Sequence, residues 1–221
     1  MNWISYIFPQ TIVKLTSHFN KEIRINEEYG KHKLLVNGSN QSGEYIGMLW
    51  EKAFKKFGLL QSHFQGDPLQ ILILGVGGGS VIKILRSYFP STHITAVDID
   101  PTMIEISQTY FGLDKVSGLS LVCADAQKYV VKARKSRITY DLILVDIFIG
   151  AYIPDFVSDD KFLHLLKSLL SQNGRIVINY LREFEYGKKS DDLLGKLVKI
   201  FPVVAEISLY NNRFFRVSMV K

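Results

Sequence analysis

The segment 71–80, Ile-Leu-Ile-Leu-Gly-Val-Gly-Gly-Gly-Ser, constrains the fold more than any other part of the sequence. Four apolar β-formers lead into a glycine cluster, and residues 81–85 then begin an apolar helical pattern, which is typical of strand, tight turn and helix. Gly75, Gly77 and Gly79 lack the side chains that would keep a ligand away from the strand end and from the free N–H groups of the helix. The segment therefore predicts a ligand-binding turn, and a glycine-rich turn without a ligand stays open as the alternative.

The next predicted strand, residues 93–97, ends in a carboxylate. Asp98 follows Gly75 at a spacing of about 20 residues, at which an acidic side chain accepts hydrogen bonds from both hydroxyls of a nucleoside ribose. A loop aspartate without a ligand is the alternative for Asp98. Asp100 is instead predicted to cap the next helix, with Pro101 at its first position.

Strands and helices alternate from Leu69 onward, which predicts an α/β fold with a doubly wound, mainly parallel sheet. The predicted strands cover residues 71–74, 93–97, 119–123, 141–145 and 175–179, and the predicted helices cover 80–89, 101–111, 126–134, 159–171 and 190–200. Two further strands, 203–210 and 214–220, are joined by a tight turn and must be antiparallel. A seven-stranded sheet of this kind resembles the Rossmann-like fold of class I S-adenosylmethionine-dependent transferases.

The N-terminal part has a different pattern. Strands are predicted at 11–15, 22–26 and 33–36, which form a small antiparallel β-hairpin unit. Ser42 is expected to cap a helix over residues 43–57, whose apolar stripe, Trp50 included, is interpreted as core packing. With a linker at residues 61–68, the sequence predicts an N-terminal domain over 1–60 and a Rossmann-like domain over 61–221.

Composition and spacing exclude several classes of function. The 221 residues include 27 Lys and Arg and 21 Asp and Glu, but the basic side chains are scattered, so a nucleic-acid partner is not expected. Cys123 is the sole cysteine, which excludes an intramolecular disulfide, and its apolar surroundings predict a buried side chain.

The histidines show no metal-ligand spacing, so no metal is expected. The apolar start, residues 1–9, lacks a basic leader and contains a proline, so we expect a cytoplasmic protein with no membrane segment.

The ligand of an open α/β sheet lies beyond the carboxyl ends of its strands, at the switch point between the first and fourth strands. Asp125 follows the third strand and either accepts a hydrogen bond from an adenine amino group, caps the next helix, or does both. Asp146 ends the fourth strand, where a carboxylate would orient or deprotonate an attacking amine or hydroxyl. A carboxylate that only caps the loop is the alternative. The apolar loop 147–154, with Phe148 and Tyr152, is a candidate lid.

Taken together, the two halves resemble the spermidine synthase (polyamine aminopropyltransferase) family over nearly the full length. The residues that carry this resemblance are 17–20, 22–25, 29–30, 33–38 and Gln41 in the N-terminal part, and 75–79, 98–101, 125–126 and 140–146 in the rest. The resemblance implies a homodimer that binds S-adenosylmethionine or decarboxylated S-adenosylmethionine and uses Asp146 to activate a small-molecule acceptor. The residues it assigns to the cofactor are Gln41, Gly75, Gly77, Gly79, Asp98 and Asp125.

The chain departs from this family at the positions that choose the substrates. Gly78 stands where the family has an aspartate for the amino end of decarboxylated S-adenosylmethionine, Ile149 replaces the second acid of its D-x-x-D motif, and its Tyr-His-Glu run has no counterpart near residues 47–49. A cationic diamine needs carboxylates to offset its desolvation. We therefore expect a methyltransferase acting on a less cationic small molecule. Aminopropyl transfer with other acids, such as Glu44 or Asp155, a non-catalytic nucleoside-binding protein and an RNA methyltransferase remain open.

Overall fold

The computed structural model describes residues 3–60 and 68–220, so most of the predicted linker lies outside the described residues. The strands are β1 Gln10–Leu15, β2 Ile23–Glu28, β3 Lys31–Val36, β4 Ser39–Asn40, β5 Gln70–Leu74, β6 His93–Asp98, β7 Leu119–Cys123, β8 Tyr140–Val145, β9 Leu170–Leu181, β10 Val203–Leu209 and β11 Asn212–Ser218. The α-helices are α1 Glu44–Lys56, α2 Ser80–Tyr88, α3 Pro101–Thr109, α4 Ala126–Lys135, α5 Asp160–Ser168 and α6 Tyr186–Ile200.

Seven strands form one sheet in the order β10-β11-β9-β8-β5-β6-β7. The five strands from β5 to β9 run parallel, and β11 and β10 are added antiparallel at one edge. This arrangement confirms the predicted doubly wound sheet with its antiparallel end. The strand order reverses between β5 and β8, so a crevice opens beyond the carboxyl ends of these two strands.

The four N-terminal strands form a separate antiparallel sheet in the order β1-β2-β3-β4. Apolar side chains of β2 and β3 pack against the α3 region, where Met103, Ile106 and Phe111 are buried with them. Helix α1 instead packs against the large sheet, because its buried face shares a hydrophobic cluster with Ile71 and Ile73 of β5. The predicted domain boundary at residue 60 stays a prediction.

Several predicted helix boundaries were wrong, among them the start of α1 and the end of α5. Gly43, not Ser42, precedes α1 as its N-terminal cap residue, and no side chain caps that helix end. Helix α5 ends at Ser168 rather than at residue 171, because Leu170 already pairs with Tyr140 of β8 in the parallel sheet. At the end of α5, pairing with a distant strand thus overrides the local helical pattern.

Further differences concern α3, α6 and the single cysteine. Helix α3 ends at Thr109 rather than at 111, and α6 begins at Tyr186 rather than at 190. The buried Tyr186 hydroxyl accepts a hydrogen bond from the Ile153 N–H, which ties the first turn of α6 to the preceding loop. Cys123 is exposed rather than buried, because it ends β7 at the edge of the sheet. In the described ranges, no helix has the length and apolar character needed to cross a bilayer.

Candidate active site

The glycine turn after β5 is held by the carboxylate that ends β6. The Val76 N–H donates to one oxygen of Asp98 at 3.0 Å, and the Asp100 N–H donates to the other at 3.0 Å. Burial raises the pKa of Asp98, while these backbone hydrogen bonds oppose the rise. Because an ionised carboxylate offers about four acceptor positions, Asp98 can hold the turn and still accept hydroxyl groups of a ligand.

The connection between β4 and α1 lies directly on this turn. A β-carbon built on Gly77 would be 3.0 Å from the carbonyl oxygen of Gln41, and one built on Gly78 would be 2.2 Å from Ser42 Oγ. The Gly43 N–H donates to Ser80 Oγ at 3.2 Å. The N-terminal segment thus covers the glycine turn so closely that side chains at these two glycines would displace it.

A cavity of about 40 Å³ lies beside the turn, and its lining includes Gly75, Gly77, Gln41 and Asp98. These predicted cofactor residues are therefore brought together. Gly79 is not part of this lining, because a β-carbon there would face Leu113 at 2.6 Å.

Asp125 also lies outside the lining of this small cavity. Its carboxylate accepts a hydrogen bond from the Lys128 N–H at 2.9 Å and caps α4, which confirms the capping interpretation. The predicted contact with adenine stays a prediction, because capping occupies one position of a carboxylate that offers several.

Asp146 stands at the end of β8, next to the turn. Its carboxylate accepts two hydrogen bonds, from Trp50 Nε1 at 3.1 Å and from Asn179 Nδ2 at 2.9 Å. Burial raises the pKa of Asp146 to about 6, although both hydrogen bonds oppose this rise. A carboxyl group with such a pKa is mostly ionised at neutral pH and accepts a proton more readily than an ordinary aspartate.

A second cavity, of about 570 Å³, opens on the other side of Asp146. Its lining consists of Ser39, Asn40, Gln41, Tyr45, Ile46, Asp146, Phe148, Gly150, Ala151, Asn179, Leu181, Glu183, Phe184, Glu185, Tyr186, Asn211 and Asn212. Gln41, Asp146 and Phe148 line both cavities. Gln41 Nε2 also donates to the Gly150 carbonyl at 2.7 Å, which ties the predicted lid loop to the N-terminal segment. Asp146 thus lies between the two cavities and lines both of them.

The acids at the larger cavity differ from those that the sequence suggested. Glu44 pairs with Lys31 outside it, and Asp155 lies 3.5 Å from Lys189, also outside it. Two other exposed carboxylates, both between β9 and α6, line it instead: Glu183 and Glu185. Glu44 and Asp155, the acids considered as substitutes for the missing family acids, therefore lie outside the lining of the larger cavity.

Sequence reasoning also missed the partners of Asp146. Trp50 was interpreted as a member of an apolar stripe, although its indole N–H bonds to the carboxylate. Asn179 was not identified at all. It is 7% exposed and follows three apolar residues of β9, and a polar side chain at such a strand end is a usable signal. Within the described ranges, no three His, Cys, Asp or Glu side chains converge as metal ligands.

The sequence is similar to a known protein family and to several known proteins. The family described as Spermine/spermidine synthase domain matches residues 56–219. A polyamine aminopropyltransferase of Vibrio vulnificus is 38% identical over 116 residues, which is 52% of this chain and 39% of that protein. The mouse eEF1A lysine and N-terminal methyltransferase is 32% identical over 146 residues, 62% of this chain and 20% of that protein. The chain thus spans two fifths or less of the length of these two relatives.

The same similarity is found among solved structures. A crystal structure of a probable spermidine synthase from Corynebacterium glutamicum superposes with a TM-score of 0.80, covering 95% of this chain and 80% of that chain. The sequence identity of 19% makes this a likeness of fold. Because nearly all of this chain is covered, the likeness extends to the small N-terminal sheet as well as the large one.

Proposed function

Because the chain belongs to the spermine/spermidine synthase family, we propose that it is an S-adenosylmethionine-dependent methyltransferase acting on the amine or hydroxyl of a small-molecule acceptor. One observation carries the choice of methyl transfer over aminopropyl transfer. Ser42 fills the place beside the glycine turn that a side chain on residue 78 would need.

The space at Gly78 is closed on two sides. A β-carbon there would lie 2.2 Å from Ser42 Oγ, 2.7 Å from Ser42 Cβ and 3.0 Å from a ring carbon of Phe111. Ser42 is fully buried, so it has no open space to turn into. A carboxylate that would pair with the free amino end of decarboxylated S-adenosylmethionine therefore has no room at this position. The intact cofactor has its own carboxylate beside that amino group, which suits the N–H groups at the start of α2.

The residues of the two cavities fit S-adenosylmethionine in their chemistry. Gly75, Gly77 and Asp98 line the smaller cavity, and Asp98 has acceptor positions left for ribose hydroxyls. The cofactor supplies an electrophilic methyl group on a sulfonium sulfur. Asp146 accepts the proton that the acceptor nitrogen or oxygen loses as its bond to the methyl carbon forms, while the carbon–sulfur electron pair goes to sulfur. Alignment of the reactants across Asp146 contributes much of the acceleration.

Aminopropyl transfer is the second candidate function. The observation that favours it is the pair of carboxylates at the larger cavity, Glu183 and Glu185, which are available to a cationic acceptor. The Vibrio vulnificus relative is named a polyamine aminopropyltransferase, whereas the mouse relative is named a methyltransferase. The two candidates differ in the donor that the site prefers, so donor binding separates them.

The test is thermal stabilisation of the purified protein by S-adenosylmethionine, decarboxylated S-adenosylmethionine and methylthioadenosine, measured in parallel. A ligand at a hundred times its Kd adds about 2.7 kcal/mol to the free energy of unfolding. We expect the largest shift with the intact cofactor. A larger shift with the decarboxylated form would reject methyl transfer in favour of aminopropyl transfer, and no shift with any of the three would reject the nucleoside site itself.

A pair of variants tests the role of Ser42 directly. Gly78→Asp alone is expected to lower stability without improving the binding of decarboxylated S-adenosylmethionine, because the new side chain collides with Ser42. The double variant Ser42→Gly, Gly78→Asp removes the closer of the two obstacles and leaves the Phe111 ring carbon at 3.0 Å. It is expected to bind the decarboxylated donor more tightly than the single variant does. Equal binding by both variants would show that Ser42 does not control the donor.

A further inference from the structure

We infer that Asn212 is a positioning residue for Asp146: it orients the side-chain amide of Asn179 so that the Asn179 NH₂ group faces the Asp146 carboxylate. This inference rests on the proposed role of Asp146 as the proton acceptor. The antiparallel β10–β11 hairpin would thus contribute to the site through Asn212, which lines the larger cavity.

Two consecutive hydrogen bonds carry the inference. Asn212 Nδ2 donates to Asn179 Oδ1 at 2.8 Å, and Asn179 Nδ2 donates to Asp146 Oδ1 at 2.9 Å. In the register of β9 and β11, Asn179 lies opposite Phe214 and Asn212 lies opposite Leu181. The two asparagines are therefore a diagonal pair on one face of the sheet, close enough for their side chains to meet.

The chemistry of these groups fixes the direction of both bonds. An ionised carboxylate only accepts hydrogen bonds, so Asn179 must turn its NH₂ group toward Asp146 and its carbonyl oxygen toward Asn212. Asn212 must then present its own NH₂ group. If Asn179 were turned by half a rotation, its carbonyl oxygen would face the carboxylate, and the negative charge would be repelled. As long as Asn212 presents its NH₂ group as found here, it disfavours that orientation, because two NH₂ groups would be brought together.

The other oxygen of Asp146 is held differently. Trp50 Nε1 is a donor only, and the fully buried indole packs against the rings of Phe54 and Phe214. Trp50 therefore needs no orienting partner, whereas the Asn179 amide does. The other ionisable residues that line the two cavities with Asp146 are Tyr45, Asp98, Asp100, Glu183, Glu185 and Tyr186.

Trp50 makes the inference measurable without a methyl donor or an acceptor. The chain has two tryptophans, and the other, Trp3, is 72% exposed. In a Trp3→Phe background, the emission of Trp50 reports the ionisation of the carboxylate that its indole touches. The full chain is titrated from pH 4 to 9 and its emission recorded. We expect a transition near pH 6, and Asp146→Asn in the same background should remove it.

Two variants of Asn212 then separate orientation from packing. Asn212→Ala leaves the Asn179 amide free to turn, so the midpoint should rise by about one pH unit. Asn212→Asp keeps the shape but introduces a group that accepts the Asn179 NH₂, so its midpoint should rise further. Asn212→Ser keeps a donor of shorter reach and should give a smaller rise than alanine. The matched control is Ser208→Ala, an exposed position on β10 of the same hairpin, which should leave the midpoint in place.

An unchanged midpoint in both Asn212→Ala and Asn212→Asp, with the transition still removed by Asp146→Asn, would overturn the inference. An equal rise in the Ser208→Ala control would also overturn it, since the cause would then be a general disturbance of the hairpin. Because the titration contains no donor, failure of the proposed methyl transfer would appear in the thermal-shift experiment and not here.

Discussion

The carbonyl oxygen of Asp146 lies 2.1 Å from the position that a β-carbon on Gly75 would occupy. The Asp146 N–H donates to the carbonyl of Leu74, the residue before Gly75, at 2.8 Å. The glycine turn and the proposed proton acceptor are thus in backbone contact at the point where β5 and β8 diverge. Any side chain at position 75 would push these two parts of the site away from each other.

Gly75→Ala is accordingly expected to lower the free energy of unfolding by about 2–5 kcal/mol, from backbone strain at φ +99° together with overpacking. Urea denaturation measures the loss. Gly38→Ala is the matched control, because Gly38 has φ +82° but nothing within 4 Å of a β-carbon. It should lose only the strain, about 1–2 kcal/mol. Equal losses in the two variants would contradict the close contact with Asp146.

Asp146→Asn should change how stability depends on pH. The pKa of Asp146 is raised from 3.8 to about 6 in the folded protein, so the folded state binds this proton more tightly than the unfolded chain. The resulting stabilisation is fully present below pH 3.8 and is lost as the pH rises through about 6. The variant lacks this loss, so its stability relative to wild type should increase by about 3 kcal/mol between pH 3.5 and 7.5. Urea denaturation at both pH values measures it, and parallel pH dependences would show that the pKa is not raised.

Asp125→Ser distinguishes helix capping from cofactor binding. Serine caps a helix about as well as aspartate, so the free energy of unfolding should stay within about 0.5 kcal/mol, whereas Asp125→Ala should lose about 1 kcal/mol. Serine is too short to reach an adenine amino group, so both variants should bind S-adenosylhomocysteine about tenfold more weakly by calorimetry. Unchanged affinity in the serine variant would leave Asp125 with its capping role alone.

Ser17→Ala tests how the small sheet is fastened to the large one. The Ser17 hydroxyl and the Asn20 amide both donate to the Asp100 carboxylate, which is 1% exposed. Removing one donor from a buried charged group should cost about 1–3 kcal/mol in urea denaturation. Thr11→Ala, which removes an exposed hydrogen bond to Asn26, should cost less than about 0.5 kcal/mol. A similar small cost for Ser17→Ala would mean that this contact does not fasten the sheets.

Much of the fold could be predicted because its signals are local. The alternation of apolar strands and helices, the glycine turn and the tight turn near residue 211 each depend on neighbours in sequence, and together they specify the doubly wound sheet with its antiparallel end. The same rule placed Asp98 and Asp146 at strand ends beside the crevice, since parallel strands end at a common edge. The capping role of Asp100 followed from its position before Pro101.

The sequence by itself thus determined the order of elements and which carboxylates lie at the crevice. Only the tertiary structure decided what surrounds them. Trp50, Asn179 and Asn212 are far apart along the chain. Trp50 and Asn179 contact Asp146, and Asn212 contacts Asn179, because α1 packs on the sheet and β11 pairs with β9. Ser42 closes the space at Gly78 for the same kind of reason. Contacts of this kind depend on strand order, register and helix packing, which no local periodicity contains.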